Sequence, residues 1–341
     1  MTHDGLEFHN IVELVEVDGE KGLRIQRAPE SVRKQIDEGA AGVMLSPASS
    51  EIRFRLKEGC SSATVTLSSP EGATVYVYHG PFQGASHIIG PEASEIKIAP
   101  GRRSSLLTKE DYPDSLYDPG LIRLIFGGVY PEPVFYHGHS EGIELPREGD
   151  VPQKTYLAYG SSITHGTADV GGAISYPAHV AWKLGMDCRN LGASGCCLCE
   201  KPFSDFLAEQ DADVVTLEIS VNMLGRGFTA DEFKDRAYYL VKKIAESDPN
   251  KQVVCITLFP HYNDISDRFR SEKDKATSEE YRQVLRDLVK ELRLPNVHLI
   301  EGPELLPDIG ALSQDLIHPG ARGMIQIGEE LARRLAPIIR K

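Results

Sequence analysis

Residues 156–166 read Tyr156-Leu157-Ala158-Tyr159-Gly160-Ser161-Ser162-Ile163-Thr164-His165-Gly166. A short apolar run stops at a glycine and two serines. A run of this length, bounded by turn residues, suits a strand buried on both faces. Such strands belong to parallel sheets covered by helices. The chain beyond repeats the pattern, with strands expected at 155–159, 187–191, 214–219, 252–258 and 297–300. Helical periods lie between them. Thr229-x-x-Glu232 and Thr277-x-x-Glu280 are capping boxes, opening helices that run to about Ser247 and about Arg293. Pro319 suits the first position of a last helix, ending near Ile339. Strands alternating with helices imply a parallel, doubly wound α/β sheet with helices on both faces.

Upstream the period changes. Glu51-Ile52-Arg53-Phe54-Arg55-Leu56 alternates polar and apolar residues, and so do 63–67, 74–78, 95–98 and 121–126. Gly and Pro turns separate them, and only 31–38 hints at a helix. This spacing predicts an all-β sandwich, jelly-roll-like. Residues 141–154 form a polar connection containing Pro146, Gly149 and Pro152. The expected division is therefore 1–150 for a β-sandwich accessory domain and 151–341 for the α/β domain. A chain of 341 residues fits that division at ~150 residues per domain.

Composition narrows the function. The chain has 37 basic and 50 acidic side chains, for a net charge of −13. Nucleic acid needs a basic footprint, so it is excluded as a partner, as is an anionic membrane surface. No apolar stretch reaches the ~18 residues of a membrane span. The start, Met1-Thr2-His3-Asp4-Gly5, lacks the basic and apolar regions of a signal peptide, so a cytoplasmic protein is expected. Six cysteines, four of them within 188–199, are too irregularly spaced for a disulfide framework. Cys196-Cys197-Leu198-Cys199 lacks a second pair at zinc spacing. No metal and no cofactor are expected. The oligomeric state is open, and a homo-oligomer is compatible with the sequence.

Two serines compete for the role of nucleophile. Gly138-His139-Ser140-Glu141-Gly142 matches G-x-S-x-G, whose serine needs a sharp turn between a strand and a helix. The residues that follow, Ile143-Glu144-Leu145-Pro146-Arg147-Glu148-Gly149, carry two breakers and no apolar period, so the motif reads as a turn after an antiparallel strand. Ser162 instead sits at the carboxyl end of an expected parallel strand, where open α/β sheets bind their ligands. Three further loops should lie on the same rim: Asn190-Leu191-Gly192-Ala193-Ser194-Gly195, Ser220-Val221-Asn222-Met223 and Asp315-Leu316-Ile317-His318-Pro319. Taken singly, each has a plainer reading as a turn or a helix start.

Taken together, the four segments resemble the SGNH hydrolases, also called GDSL-type esterases and lipases. Gly160-Ser161-Ser162-Ile163 is similar to the family's first block, with Ser162 in the nucleophile's place. Gly192 matches the glycine of the second block, Asn222 the asparagine of the third, and Asp315-x-x-His318 the last. Two blocks depart: Ser161 stands where the family name has aspartate, and the family's Gly-x-Asn-Asp block reads Ser220-Val221-Asn222-Met223. The resemblance covers about 155–340 and implies a flavodoxin-like three-layer α/β/α fold. It also implies a catalytic triad of Ser162, Asp315 and His318. The oxyanion hole would be the Ser162 N–H, the Gly192 N–H and the Asn222 amide.

The residue types suit that chemistry. A serine hydroxyl needs a base to become a nucleophile. His318 supplies an imidazole, and Asp315, three residues earlier, can hold its other nitrogen. The expected activity is a serine ester hydrolase that cleaves a small or sugar-linked acyl ester, acetyl in the first instance. One alternative is an acyltransferase with an alcohol in place of water. Another is a non-catalytic binding protein on a hydrolase fold. His165, His261 and Tyr262 are the expected substrate contacts. Residues 263–275 read as a rim or lid, or else as a solvated loop, Trp182 as core, and His179 as packed on the sheet. The front region has no Trp but does have Tyr76, Tyr78, Phe82, Tyr112, Tyr117, Tyr130, Phe135 and Tyr136. It is expected to pack on the hydrolase and shape its cleft, with 112–121 reaching toward the active site.

Overall fold

The structure is a computed structural model, describing residues 1–127, 133–166 and 175–339. Tyr130 lies outside the described residues. Among the described residues the front region forms two antiparallel sheets. The first holds β1 (Thr2–His3), β2 (Leu6–His9), β5 (Glu51–Leu56), β10 (Leu121–Gly127), β7 (Ala73–His79) and β8 (Phe82–Ile89) in that order, with β12 (Ile143–Glu144) also on β5. The second runs β3 (Glu13–Glu16), β4 (Leu23–Gln26), β11 (Phe135–His139), β6 (Ala63–Ser68) and β9 (Ser94–Ile98). Period-two alternation sends Phe8, Ile52, Phe54, Val75, Leu124 and Phe126 inward from one sheet and Val65, Leu67, Ile96 and Tyr136 from the other, into one apolar core. This is the sandwich expected from the alternation.

The third sheet is fully parallel: β14 (Asp187–Asn190), β13 (Thr155–Gly160), β15 (Val214–Glu218), β16 (Gln252–Ile256) and β17 (Val297–Ile300). Its strands alternate between two apolar layers. Leu157, Tyr159, Val215, Leu217 and Val253 pack under the helices Lys201–Ala208, Ala230–Ser247 and Ser278–Leu292. Tyr156, Ala158, Val214, Val254 and Ile256 pack under Tyr176–Leu184 and Ala321–Ile339. Both capping boxes form as expected, at Thr229 with Glu232 and at Thr277 with Glu280. The strand order reverses beside β13, so the loop after β13 opens at the switch point where such sheets bind ligands.

The two regions meet over buried charge. Glu51 and Arg53 point away from the sandwich core, where an isolated sandwich would leave them in water. Here they lie beneath the α/β domain, and Arg53 is 0% exposed. Its guanidinium forks onto Asp187 Oδ1 and Oδ2 at 2.7 Å each, and its Nε donates to Glu51 at 2.7 Å. Burial opposes the Asp187 charge, but Arg53 and His9 hold the carboxyl at about 2. The loop after β4 adds a second contact. Ala28, Val43 and Met44 join the apolar cluster of the α/β domain.

Three expectations are corrected. Trp182 is 61% exposed, because it lies on the outer face of its helix. His179 packs on the last helix, against Gly328 and with Nε2 3.0 Å from Glu329, rather than on the sheet. Tyr117 stacks at 3.5 Å beneath Arg123 and meets Asp187 at the opening end of β14, away from the rim loops.

Candidate active site

The site is built where β13 turns into a four-residue helix, Ser162–His165, closed by Gly166 at φ 104°. Ser161 is the N-cap, and its Oγ accepts from the Ile163 N–H at 3.1 Å. Gly160 is required by close approach: a Cβ there would lie 2.1 Å from Thr164 Oγ1 and 2.8 Å from the Glu218 carbonyl. Beneath the turn lies Glu218, the last residue of β15. Its Oε2 accepts from the Ser161 N–H at 2.9 Å, Ser161 Oγ at 2.6 Å and Thr164 Oγ1 at 3.2 Å. Burial pushes its carboxyl up to about 7, against the lowering effect of those bonds. Oε1 has no partner among the described residues. Ser161 thus uses the position of the family's aspartate to tie the turn to the sheet.

Ser162 Oγ lies 2.7 Å from His318 Nε2, and His318 Nδ1 lies 2.6 Å from Asp315 Oδ2. A tight loop makes this possible. The Ser313 N–H donates to the His318 carbonyl at 2.7 Å, and Leu316 takes a left-handed φ of 57°. Strained residues of this kind persist where surrounding bonds hold them. Asp315 Oδ1 accepts from Ser313 Oγ, the Ile317 N–H and the His318 N–H at 2.8, 2.9 and 3.0 Å. Partial burial works against its charge, but the His318 contacts and these bonds hold the carboxyl well below the usual range. An ionised Asp315 on Nδ1 leaves Nε2 as the acceptor facing Ser162.

Each expected oxyanion donor has a definite local setting. The Ser162 N–H lies in the first turn of its helix, where N–H groups point outward along the axis. Asn222 Oδ1 accepts from the Cys197 N–H at 3.0 Å, so the amide nitrogen is the end left to donate. Gly192 packs so closely on the Ser162–His165 helix that a Cβ would lie 2.3 Å from the His165 N atom. Its N–H donates to Asn190 Oδ1 at 2.9 Å, so any further acceptor must share that hydrogen.

The expected substrate contacts fare differently. His165 is buried, with Nε2 3.2 Å from Arg27, so it lies beneath the site. His261 is also buried, its Nε2 2.9 Å from Ser278 Oγ. Tyr262 is half-buried, and its N–H donates to the Leu316 carbonyl at 2.9 Å, beside the Asp315–His318 loop. Residues 263–275 fold into short helical turns anchored by Asp264 on Arg282 at 2.8 Å. Ser140 is a turn residue between β11 and β12: its Oγ accepts from the Thr64 N–H at 2.9 Å. The sequence reading missed Glu218, Asn190 and Arg27. Glu218 carried a signal, an acid closing the apolar run Val214-Val215-Thr216-Leu217.

A model of the GDSL-like lipase/acylhydrolase family matches residues 153–336, more than half of the chain. The chain belongs to this family. No curated protein sequence matches this GDSL-like chain. Solved structures do. A salicylyl-acyltransferase, SsfX3, from a tetracycline biosynthetic pathway aligns with a TM-score of 0.77 at 18% identity, over 99% of this chain and 96% of that one. A family two carbohydrate esterase from Clostridium thermocellum aligns at 0.65 and 14%, over 98% of each chain. An acetyl xylan esterase, Est2A, from Butyrivibrio proteoclasticus aligns at 0.60 and 11%, over 99% and 96%. At these identities the likeness is one of fold. It spans the antiparallel sheets as well as the GDSL-like domain.

Proposed function

We propose that this GDSL-like protein is a serine ester hydrolase that cleaves a small or sugar-linked acyl ester, acetyl in the first instance, through an acyl-enzyme on Ser162. The observation that carries the reading is the hydrogen-bond chain from Ser162 Oγ to His318 Nε2 and from His318 Nδ1 to Asp315. His318 Nε2 takes the hydroxyl proton as Oγ bonds to the ester carbonyl carbon, and Asp315 stabilises the imidazolium. The oxyanion is met by the Asn222 amide and the Ser162 N–H, with a shared contribution from the Gly192 N–H. Collapse breaks the bond to the alcohol, which leaves with the proton from Nε2. Water then repeats the sequence on the acyl-enzyme, losing its proton to Nε2 and releasing the acid. In this reading residues 1–150 are an accessory domain, and no group outside the chain is needed.

The neighbours named as carbohydrate esterases support an acylated sugar as substrate. The neighbour with a TM-score of 0.77, named as an acyltransferase, supports a second reading in which an alcohol replaces water. Acetate release from a panel of acetylated sugars, compared with longer-chain p-nitrophenyl esters, tests the first reading. Adding an alcohol acceptor and assaying for the new ester separates the two. A fluorophosphonate should label one peptide, the one containing Ser162. Absence of labelling and of turnover across the panel would leave a binding protein on a hydrolase fold.

A further inference from the structure

Arg27 follows β4 in the sandwich region and is 0% exposed. Among the described residues it forms no ion pair with a carboxylate. Its Nε donates to the Ser46 carbonyl at 2.6 Å, and Nη2 to the Val43 carbonyl at 2.9 Å. Nη1 donates to the carbonyls of Asn190 and Gly192, at 3.1 Å each. Nη2 also lies 3.2 Å from His165 Nε2. A guanidinium has only donors, so His165 Nε2 accepts and its ring proton sits on Nδ1. That nitrogen is buried without a partner among the described residues. Burial, and then the Arg27 charge, hold the imidazole far below its usual value, so it is neutral. Burial lowers Arg27 itself to about 9, which leaves it charged at neutral pH.

These contacts converge on two parts of the site. Asn190 and Gly192 carry the carbonyls that bracket the Leu191–Gly192 peptide, the peptide whose N–H is one of the expected oxyanion donors. His165 ends the nucleophile helix, and Gly192 packs directly on its backbone. Asn190 reinforces the same joint, donating from Nδ2 to the Thr164 carbonyl at 2.7 Å. A buried cation without a carboxylate is costly, and an apolar side chain would fill the space at lower cost. Five donors in a fixed plane do what such a side chain cannot: they set the orientation of four carbonyls and one imidazole.

We propose that Arg27 is a positioning residue for acyl transfer, supplied by the sandwich region, which locks the oxyanion loop Asn190–Gly192 onto the nucleophile helix. The role rests on the esterase reading above. It assigns the front region a part in the chemistry through geometry, without contact to the substrate.

The test uses the full chain, with Arg27→Met, Arg27→Lys and, as a control, Arg53→Met at the far end of β14. For p-nitrophenyl acetate, kcat should fall ~10²-fold in Arg27→Met and ~10-fold in Arg27→Lys, with KM within ~3-fold, the scale expected when a reacting geometry slips by about an ångström. The rate of fluorophosphonate labelling at Ser162 should fall in parallel. Arg53→Met should lower the melting temperature and leave kcat unchanged. Folded Arg27 variants with wild-type kcat overturn the proposal, as does an equal loss of kcat in Arg53→Met. If Arg27→Met does not fold, Arg27→Lys decides. If the wild type neither turns over nor labels, the esterase reading has failed, and the lock is read from the 15N shifts of His165. A proton held on Nδ1 in the wild type and redistributed in Arg27→Lys supports it. An unchanged pattern overturns it.

Discussion

Ser140 and Ser162 both follow strands, and both stand in glycine-rich turns that resemble nucleophile motifs. Their surroundings differ in kind. Ser140 closes an antiparallel strand, and its hydroxyl is spent on the backbone: it accepts from the Thr64 N–H at 2.9 Å and donates to the Glu141 carbonyl at 3.2 Å. The neighbouring His139 faces carbonyl oxygens with both ring nitrogens, Ser140 at 2.6 Å and Asp4 at 2.7 Å, so neither nitrogen is turned to the Ser140 hydroxyl. Ser162 opens a helix at the carboxyl end of a parallel strand, and its hydroxyl meets an imidazole at 2.7 Å. The comparison teaches that a serine's role follows from how its strand ends. An antiparallel turn returns the chain to the ladder and consumes the hydroxyl. A parallel strand hands the chain to a helix and exposes its first residue to loops from other strands.

The sharpest way to break this comparison is to exchange the two losses. Ser162→Ala should lower kcat for p-nitrophenyl acetate by at least ~10⁴-fold, since a triad acts as a unit. If Ser140→Ala gave that result instead, the assignment would fall. A smaller effect is expected at the rim. Asn222→Ala should lower kcat by ~10²–10³-fold with little change in KM, because the oxyanion forms only on the way to the transition state. A pure KM effect would refute the role.

The support beneath Ser162 is tested by pH. Glu218 ordinarily titrates near 4.5 and is raised to about 7 by burial. Between these values the folded chain holds a proton that the unfolded chain has lost. The contribution of Glu218 to stability is therefore full below about 4.5, falls as pH rises, and reaches its floor above about 7. Glu218→Gln removes that loss. Its stability relative to the wild type should improve by about 2 kcal/mol between pH 5 and pH 8, read from melting curves at each pH. A difference independent of pH would show that the carboxyl is ionised throughout. The smallest effect is expected at the other serine. Ser140→Ala should leave kcat within ~2-fold and cost ~1 kcal/mol of stability, the price of an unpaired Thr64 N–H.

Much of the architecture was legible in the residue pattern. Alternation in 51–56 marked an antiparallel strand, and the apolar run before Gly160 marked a parallel one. Thr229 with Glu232 and Thr277 with Glu280 marked two helix starts, because capping is a local reaction between side chain and backbone. The four rim segments were legible for a related reason: in a parallel sheet every loop after a strand emerges on the same edge. Side-chain surroundings were not. Trp182 lies at helical spacing with apolar neighbours yet faces outward, because a period cannot say which stripe of a helix the sheet covers. His165 was read as a pocket residue from its closeness to Ser162 along the chain. The helix turns it inward onto Arg27.

The sequence by itself determined the two sheet types, the helix starts and the one edge where Ser162, Asn222 and His318 could meet. These depend on contacts within a few residues or on a period of the chain. Only the tertiary structure decided what lies behind that edge. Arg27 is 163 positions before Asn190 in the chain and donates to its carbonyl. Glu51 and Arg53 alternate with the apolar Ile52 and Phe54, as polar residues do on any half-buried strand, and are buried beneath a second domain. A polar residue facing away from one core shows the same alternation whether water or another domain covers it, so the pattern along the chain carries no record of the difference.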